Sequence, residues 1–424
     1  MDAIEDYLNF GFQDHTDETF FEGINQLEPG HCLVWRDGNL FVRRYWNLLA
    51  DPSGEMSDLA LVEEFRSLFE DSVRMRLNSD VPIGSCLSGG LDSSAIIAVA
   101  SGILRKAGAG PMQTFTVDYS SFGLTELHYA RAAAEMVGAR MHVIEPGTED
   151  LLEWGRKAVW YQDEPFAALG VKSQWHAMQL AGSQGATVLL DGQGADEYLG
   201  GYIHFVPFAL ADSIRAGKLR EFLRDLGAYA RNQGLPISAA LSETARRLAS
   251  PKIPNWARSG RPSPPKAQKQ PSHNLLTRQT QTALELYNLR AYLHYEDRNS
   301  MAFSREARLP FLDHRLVQFV HRLPNRLKIR GGVTKWILRQ SIEGQIPAAI
   351  LDRHEKLGYP TPFRELIERN RRGIADLLAA CPPSRPWMRA PQVRGIIERF
   401  RAGDNSSAIW QVVALELWTQ EFLD

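Results

Sequence analysis

The amino-acid sequence predicts an α/β fold, a doubly wound parallel sheet with extensive C-terminal helices. Short apolar segments alternate with helical patterns between residues 83 and 190, which is typical of a parallel sheet covered on both faces. After Gly201 the strand patterns stop, and helical patterns continue to the C-terminus. We therefore expect an α/β part over residues 55–205 and a mostly helical part over residues 206–424.

The predicted strands of the sheet are short, apolar and bounded by turn residues. They are Ile83–Leu87, Gln113–Val117, Met141–Ile144 and Ala186–Leu190. The segments between them carry apolar residues at helical spacing. These predicted helices are Ala95–Leu104, Glu126–Val137, Leu151–Trp160 and Lys172–Ala181.

Two further regions flank or interrupt this arrangement. Residues 1–48 have the pattern of short β segments, and Asp37-Gly38 predicts a hairpin turn. Because an isolated hairpin is only marginally stable, we expect exposed apolar surface at three places: Phe10, Phe12 and Phe20–Phe21. The stretch 251–273 is rich in Pro, Ser, Lys and Arg, which predicts an exposed, mobile loop.

Composition and charge exclude several classes of protein. The formal net charge is −2, so no overall field attracts nucleic acid or an anionic membrane. The N-terminus lacks an apolar signal region, and no apolar run reaches the roughly 18 residues that span a bilayer. The three cysteines are far apart, which disfavours a disulfide framework or a zinc site. We expect a cytoplasmic protein without nucleic-acid or membrane partners.

The segment Ser88–Ser94 (SGGLDSS) directly follows the first predicted strand of the sheet and begins a helix, where open parallel sheets bind ligands. Its glycines let the backbone approach phosphate, and the helix N-terminus attracts an anion. Asp92 suits such a site only if a cation lies between it and the phosphates, which predicts magnesium. The segment lacks the Gly-Lys-Ser/Thr ending of a Walker A loop.

This heptapeptide resembles the pyrophosphate loop of the N-type ATP pyrophosphatases, which cleave ATP to AMP and pyrophosphate. A second segment, 191–202 (DGQGADEYLGGY), resembles a signature of asparagine synthetases within that superfamily. Asp191 replaces the usual serine of that signature, and Gln193 replaces the usual acidic residue. The resemblance implies an adenine nucleotide alpha hydrolase-like fold and a synthetase domain over residues 55–424.

Four other segments carry the resemblance further along the chain. They are 161–166 (YQDEPF), 298–313 (RNSMAFSREARLPFLD), 332–339 (GVTKWILR) and 353–360 (RHEKLGYP). Within the second of them we expect Glu306 and Arg308 to form a buried pair. The family often continues Ala-Asp-Pro-Ser after its Asp-Glu-Pro segment, whereas Ala168-Leu169-Gly170 stands there in this chain.

The resemblance implies that ATP and Mg²⁺ are cofactors. The implied nucleotide contacts are Leu87, Ser88, Gly89, Gly90, Asp92, Ser93, Ser94, Val117, Gly192, Gln193 and Gly194. The implied magnesium ligands are Asp92, Glu164 and Asp196. For Glu164 the alternative is a purely structural acidic residue at a helix start before proline.

Two lysines and two further side chains complete the implied catalytic set. Lys335 and Lys356 would contact phosphate or pyrophosphate, on which charge builds during adenylation. The alternative for Lys335 is a solvated lysine on a helix surface. Tyr161 or Asp163 would be the base that deprotonates the incoming amine.

Residues 1–48 resemble the C-terminal remnant of a class II (Ntn) glutamine amidotransferase domain. Met1 is followed by Asp2 instead of the nucleophilic cysteine of that domain, and Cys32 lies in a strand-like run. Two explanations stay open: the chain is a fragment or a mis-started product, or the protein takes ammonia or an amine from another source. A separate glutaminase is one such source.

The expected function is an ATP-dependent ligase that adenylates aspartate or a related small carboxylate and transfers it to ammonia or an amine. Specialised substrates are an alternative, as in β-lactam synthetases, lasso-peptide cyclases, and saccharide or peptide amidation. A tRNA sulfur transferase is disfavoured because it needs a cysteine pair and a basic RNA-binding face. A third hypothesis is an inactive, truncated family member. We also expect a homodimer.

Overall fold

A computed structural model describes residues 2–48, 56–147, 150–249, 274–286, 288–354 and 361–424. Its strands are β1 (His31–Arg36), β2 (Asn39–Arg44), β3 (Ile83–Cys86), β4 (Gln113–Val117), β5 (Arg140–Ile144), β6 (Val188–Leu190) and β7 (Glu306–Arg308). The predicted loop 251–273 lies outside the described residues.

The helices, numbered in chain order, are α1 (Asp2–Phe10), α2 (Asp58–Arg76), α3 (Leu91–Lys106), α4 (Leu127–Val137), α5 (Leu151–Gln162), α6 (Gly170–Ser183), α7 (Ala195–Tyr198), α8 (Val206–Arg215), α9 (Leu219–Asn232), α10 (Ile237–Ala249), α11 (Leu275–Glu285), α12 (Asn288–Met301), α13 (His314–Arg322), α14 (Asn325–Lys328), α15 (Trp336–Ser341), α16 (Ala348–Leu351), α17 (Phe363–Arg369), α18 (Arg371–Ala380), α19 (Pro391–Arg401) and α20 (Ala408–Phe422). Short 3₁₀ helices cover Ser120–Phe122, Ile203–Phe205, Pro310–Leu312 and Pro386–Arg389.

Five strands form a parallel sheet in the order β5-β4-β3-β6-β7. Helices α3 and α4 pack on one face, around an apolar cluster that contains Leu87 and Ala130. Helix α6 packs on the other face, around Phe115 and Met178. The predicted parallel sheet with helices on both faces is therefore confirmed.

The fifth strand was not predicted, because β7 is three residues long and its sequence, Glu-Ala-Arg, has no apolar pattern. It extends the edge of the sheet beside β6. Glu306 and Arg308 are bonded as expected, with Nε 2.7 Å from Oε1. The expectation that the pair is buried is wrong, since the Glu306 side chain is 56% exposed on this edge strand.

The hairpin predicted at Asp37-Gly38 is confirmed as β1 and β2, whereas residues 2–10 differ from the prediction of short β segments and form helix α1. Its buried face includes Tyr7 and Leu8, and the Tyr7 hydroxyl donates to the Gln411 carbonyl of α20 (3.2 Å). The rings of Phe20 and Phe21 pack against Trp418, with centroids 5.7 and 5.4 Å away. This segment is therefore docked on the C-terminal helix.

The exposed apolar surface lies elsewhere than expected. Phe20 and Phe21 pack against the core that surrounds α20, and Phe10 and Phe12 are partly buried against each other. The exposed apolar side chains lie mainly on the β1–β2 hairpin, and both faces of this hairpin are exposed to solvent. Its exposed apolar residues are Leu33, Val34, Trp35, Leu40, Phe41 and Val42. Among the described residues, no helix combines the length and apolarity needed to cross a bilayer.

Trp418→Ala should lower the free energy of unfolding by about 3–5 kcal/mol, because the indole is almost fully buried and its loss leaves a cavity. Trp35→Ala is the matched control. Trp35 is 67% exposed on the hairpin, so the change should stay within about 0.5 kcal/mol. Guanidinium unfolding followed by circular dichroism measures both, and equal losses would contradict the docking described above.

Candidate functional site

The loop between β3 and α3 is shaped by one glycine and two serines. Gly89 has φ +79°, and a Cβ there would lie 2.8 Å from the Ala130 nitrogen, so a larger residue does not fit. The Ser88 N–H donates to the Ser93 hydroxyl (3.3 Å), and the Gly90 N–H donates to the Ser88 hydroxyl (3.2 Å). Because α3 has no side-chain N-cap, its first N–H groups are available to an anion.

The loop after β6 lies directly against this first loop. A Cβ on Gly192 would lie 3.2 Å from the Asp92 Cβ and 3.5 Å from the Ser93 nitrogen. Gly194 has φ +95°, and a side chain there would clash with Leu312. The two loops meet because β3 and β6 are neighbours in the sheet although two strands separate them in the chain. Such a reversal of strand order is where open parallel sheets bind ligands.

Lys335 joins the two loops through a buried cluster of charges. Its Nζ lies 2.8 and 2.6 Å from the two carboxylate oxygens of Asp92 and 2.6 Å from Oδ1 of Asp196. Lys335 is 4% exposed, so it is not a solvated surface lysine. Its left-handed backbone (φ +52°) directly precedes α15 and directs the side chain inwards.

A glycine makes room for this cluster. Any Cβ on Gly201 would clash with the carboxylate of Asp196 and with the Lys335 side chain. Burial lowers the pKa of Lys335, and the neighbouring Asp92 carboxylate opposes that shift. Glu197 beside it is also buried, which raises its pKa, and it accepts a hydrogen bond from the Tyr202 hydroxyl (2.5 Å).

The cluster brings two carboxylates together at the point where the two loops meet. One carboxylate oxygen of Asp92 and one of Asp196 each lie 2.6 Å from the Nζ atom of Lys335. Carboxylate oxygens are the protein ligands that magnesium prefers. The charges of Glu197 and Arg339 also act on Lys335, so these five side chains form one charged cluster.

Two buried polar atoms near these loops have no hydrogen-bond partner among the described residues: Oδ1 of Asp118 and Oγ of Ser94. Asp118 directly follows Val117, the last residue of β4, at the same edge of the sheet as the two loops. A buried acceptor without a partner suits a ligand hydroxyl or amino group. The sequence prediction missed Asp118, although its position at the end of a predicted strand could have identified it.

The predicted catalytic segment 161–164 is exposed to solvent at Tyr161 and contacts the N-terminal segment at Glu164. The Tyr161 ring is 43% exposed, and the Asp163 carboxylate pairs with Arg298 at 2.9 Å. Glu164 is buried, and its carboxylate accepts hydrogen bonds from the Phe20 N–H (3.1 Å) and the Gln13 amide (3.3 Å). The roles assigned to these three residues stay predictions.

Lys356 lies outside the described residues, as does the rest of segment 355–360. The chain leading to it is held by Arg339, which follows Lys335 by one helical turn. Its guanidinium donates to the carbonyls of Thr334 (2.9 Å), Leu351 and Arg353 (2.9 Å). Arg339 therefore ties the segment 332–339 to Leu351 and Arg353.

The fold and the charge cluster define an α/β nucleotide-binding domain with a pyrophosphate-type loop. Residues 64–420 match the family model described as asparagine synthase, which is most of the chain. The chain belongs to the asparagine synthase family. Two of its relatives are named asparagine synthetases.

Individual relatives agree with this assignment. Asparagine synthetase (glutamine-hydrolysing) 1 of Bacillus subtilis (strain 168) is 28% identical over 443 residues, covering 98% of this chain and 68% of the relative. Asparagine synthetase 3 of the same organism is 32% identical, covering 80% and 55%. A Gibberella zeae protein named amidase chry2 is 25% identical, covering 77% and 56%. The chain thus spans 55–68% of the length of these relatives.

Gly201→Ala should disrupt the site, because the added methyl overlaps Asp196 and Lys335. We expect destabilisation of about 1–3 kcal/mol and loss of ATP binding. Gly102→Ala on α3 is the control, since a Cβ there meets nothing within 4 Å. That variant should be neutral or slightly stabilising. Thermal unfolding and calorimetric titration with ATP test both, and normal ATP binding by Gly201→Ala would contradict the geometry.

Proposed function

We propose that this chain adenylates a small carboxylate with ATP, using aspartate or a related acid, and transfers the acyl group to ammonia or an amine. AMP and pyrophosphate leave. The observation that carries the proposal is the buried contact of Lys335 with Asp92 and Asp196, one from each of two adjoining loops. The Lys335 ammonium and the two carboxylates meet there, beside a glycine-rich loop.

Each part of the site has a task in adenylation. The N–H groups of the Ser88–Ser94 loop and of α3 bind phosphate oxygens. Asp92 and Asp196 hold magnesium, which when bound neutralises charge on the phosphates. Lys335, together with Lys356, stabilises the negative charge that develops on the departing pyrophosphate. Glu164 stays a predicted ligand from the sequence; its carboxylate accepts hydrogen bonds from Phe20 and Gln13 and lies with Asp14 and His294 in a group that could hold a metal ion.

The nucleotide itself lies along the carboxyl edge of β3, β4 and β6 in this proposal. Leu87, which follows β3, and Val117, which ends β4, contact the base, and the loop from Gly192 to Gly194 contacts the ribose or the α-phosphate. Asp118 accepts a hydrogen bond from the adenosine part. Its free, buried oxygen supports that role.

The nitrogen source, the cellular location and the oligomeric state stay predictions from the sequence. Two of the relatives are named glutamine-hydrolysing. The proposed nitrogen source is ammonia or an amine, with a separate glutaminase as one supplier of ammonia. A cytoplasmic location and a homodimer are likewise predictions.

A specialised carboxylate is the second candidate. Asp191 and Gln193 replace the serine and the acid usual in the asparagine synthetase signature, and both lie in the loop that contacts Asp92. Relatives named amidase are also among the similar proteins. ATP–pyrophosphate exchange with a panel of acids separates the candidates. Exchange and amide formation with another acid but not with aspartate would contradict the aspartate proposal.

Asp92→Asn should reduce ATP–pyrophosphate exchange by about 10²-fold or more, because it removes one carboxylate from both the cation and Lys335. Asp80→Asn is the matched control, since Asp80 is exposed before β3. Exchange rates at saturating acid, with magnesium varied, measure the effect. Full exchange activity in Asp92→Asn would overturn the assigned role of that residue.

A further inference from the structure

Three side chains of types that bind metal ions meet where the N-terminal segment is docked on the rest of the fold. They are Asp14 from the loop after α1, Glu164, which follows α5, and His294 of α12. One oxygen or nitrogen atom of each lies within 4.8 Å of the corresponding atoms of the other two. The three residues are far apart in the chain, so the tertiary structure alone brings them together.

The spacing of these atoms suits one small dication. Nδ1 of His294 lies 3.1 Å from Oδ2 of Asp14. Neighbouring ligand atoms that are each about 2.0–2.2 Å from a zinc ion lie about 3–3.5 Å from each other. The Asp14 and His294 atoms already have this separation, and the Glu164 carboxylate lies within reach of the same ion.

The imidazole of His294 is oriented as a metal ligand. Its Nε2 lies 2.8 Å from the backbone carbonyl oxygen of Gln162, and because a carbonyl only accepts, this nitrogen is the donor. In the neutral ring Nδ1 then has the free electron pair, and it faces Asp14. Metal-binding histidines are typically held in this way, with the other ring N–H donated to a carbonyl or a carboxylate.

The Asp14 carboxylate is buried but lacks a hydrogen-bond donor at one oxygen. Its side chain is 12% exposed, and Oδ2 is a buried atom without a hydrogen-bond partner among the described residues. The contact with His294 therefore has the distance of an ion pair without the geometry of a hydrogen bond. A buried oxygen without a donor suits a cation.

Glu164 is fixed by two donors from the N-terminal segment. Its Oε1 accepts from the Phe20 N–H (3.1 Å), and its Oε2 accepts from the Gln13 side chain (3.3 Å). Gln13 accepts in turn from the hydroxyl of Tyr295 (2.9 Å), the residue after His294. Each carboxylate oxygen has a second lone pair, so Glu164 keeps the capacity to bind an ion. Outer hydrogen bonds of this kind orient the ligands of metal sites.

Charge also favours a cation at this place. Two carboxylates this close repel each other, and the repulsion is strong because Glu164 is only 6% exposed. Arg290 is engaged beside them, where its guanidinium donates to the backbone carbonyl of Asp14 (3.0 Å) and lies 3.7 Å from the Glu28 carboxylate. A dication that contacts both carboxylates would neutralise them together.

We propose that Asp14, Glu164 and His294 bind one first-row transition dication, of the class of Zn²⁺ or Mn²⁺, which fastens the N-terminal segment to the rest of the fold. One imidazole nitrogen with two carboxylate oxygens is a typical set for such ions, whereas Mg²⁺ and Ca²⁺ bind mainly through oxygen. The Nδ1 electron pair binds the ion, so a proton held there is released to solvent. The site needs neither ATP nor a carboxylate substrate and is independent of the proposed function.

The first test is calorimetric titration of the whole chain with Zn²⁺ and, separately, with Mn²⁺, after treatment with a chelator and without nucleotide. Glu164→Gln and His294→Gln each remove one ligand and should weaken one binding event by at least about 10-fold. Asp17→Asn is the matched control, because Asp17 is an exposed carboxylate of the same segment. Asp92→Asn tests the nucleotide site and should also keep this binding event.

The second test identifies the ligands and the effect on the fold. Pulsed electron paramagnetic resonance of the Mn²⁺-loaded chain should show coupling to an imidazole nitrogen, which His294→Gln abolishes. Zn²⁺ should raise the midpoint of thermal unfolding of the wild type but not that of Asp14→Asn. Asparagine tolerates the left-handed backbone at this position (φ +58°), so the variant should fold, and circular dichroism without metal checks this.

Three results would overturn the proposal. The first is a wild-type chain that binds neither Zn²⁺ nor Mn²⁺. The second is unchanged affinity in both Glu164→Gln and His294→Gln, and the third is binding that Asp92→Asn removes but Glu164→Gln keeps. If the wild type shows no ATP–pyrophosphate exchange with any acid, the proposed function fails, and these titrations still decide whether the metal site exists.

Discussion

The contact of one buried ammonium with two carboxylates is the interaction on which the arrangement of this molecule depends. Lys335 brings the start of α15 against Asp92 of α3 and Asp196 of α7. Burying an ion removes it from water at a cost of several kcal/mol, and only close partners offset this cost. Loss of one partner leaves an uncompensated charge, at a cost of about 3–5 kcal/mol. The cluster therefore holds together three segments that are distant in the chain.

The sheet makes this contact geometrically feasible. Adjacent parallel strands end at one edge, so the loops after β3 and β6 meet although about 100 residues separate them. Gly192 and Gly201 remove the side chains that would keep the two loops and the lysine apart. Short strands suffice because helices on both faces supply the apolar burial.

The N-terminal segment is joined to the ligase part by polar as well as apolar contacts. Glu164 accepts hydrogen bonds from Gln13 and Phe20, and His294 lies 3.1 Å from the Asp14 carboxylate. Burial lowers the pKa of His294, but the raising effects together outweigh it. The close contact and the charge of Asp14 are the largest of these, and the pKa is raised. The hairpin that follows is mostly exposed along β1 and β2. The same 48 residues thus contain a docked half and an exposed half.

The sequence by itself determined the parallel sheet, four of its strands and the two glycine-rich loops, because periodicity, glycine and turn residues act locally. The family resemblance also pointed to Lys335, Asp92 and Asp196. Only the tertiary structure decided that these three side chains touch and that Phe20 and Phe21 are docked. Such pairings join residues far apart in the chain, and packing between helices and strand ends sets them, which no local pattern encodes.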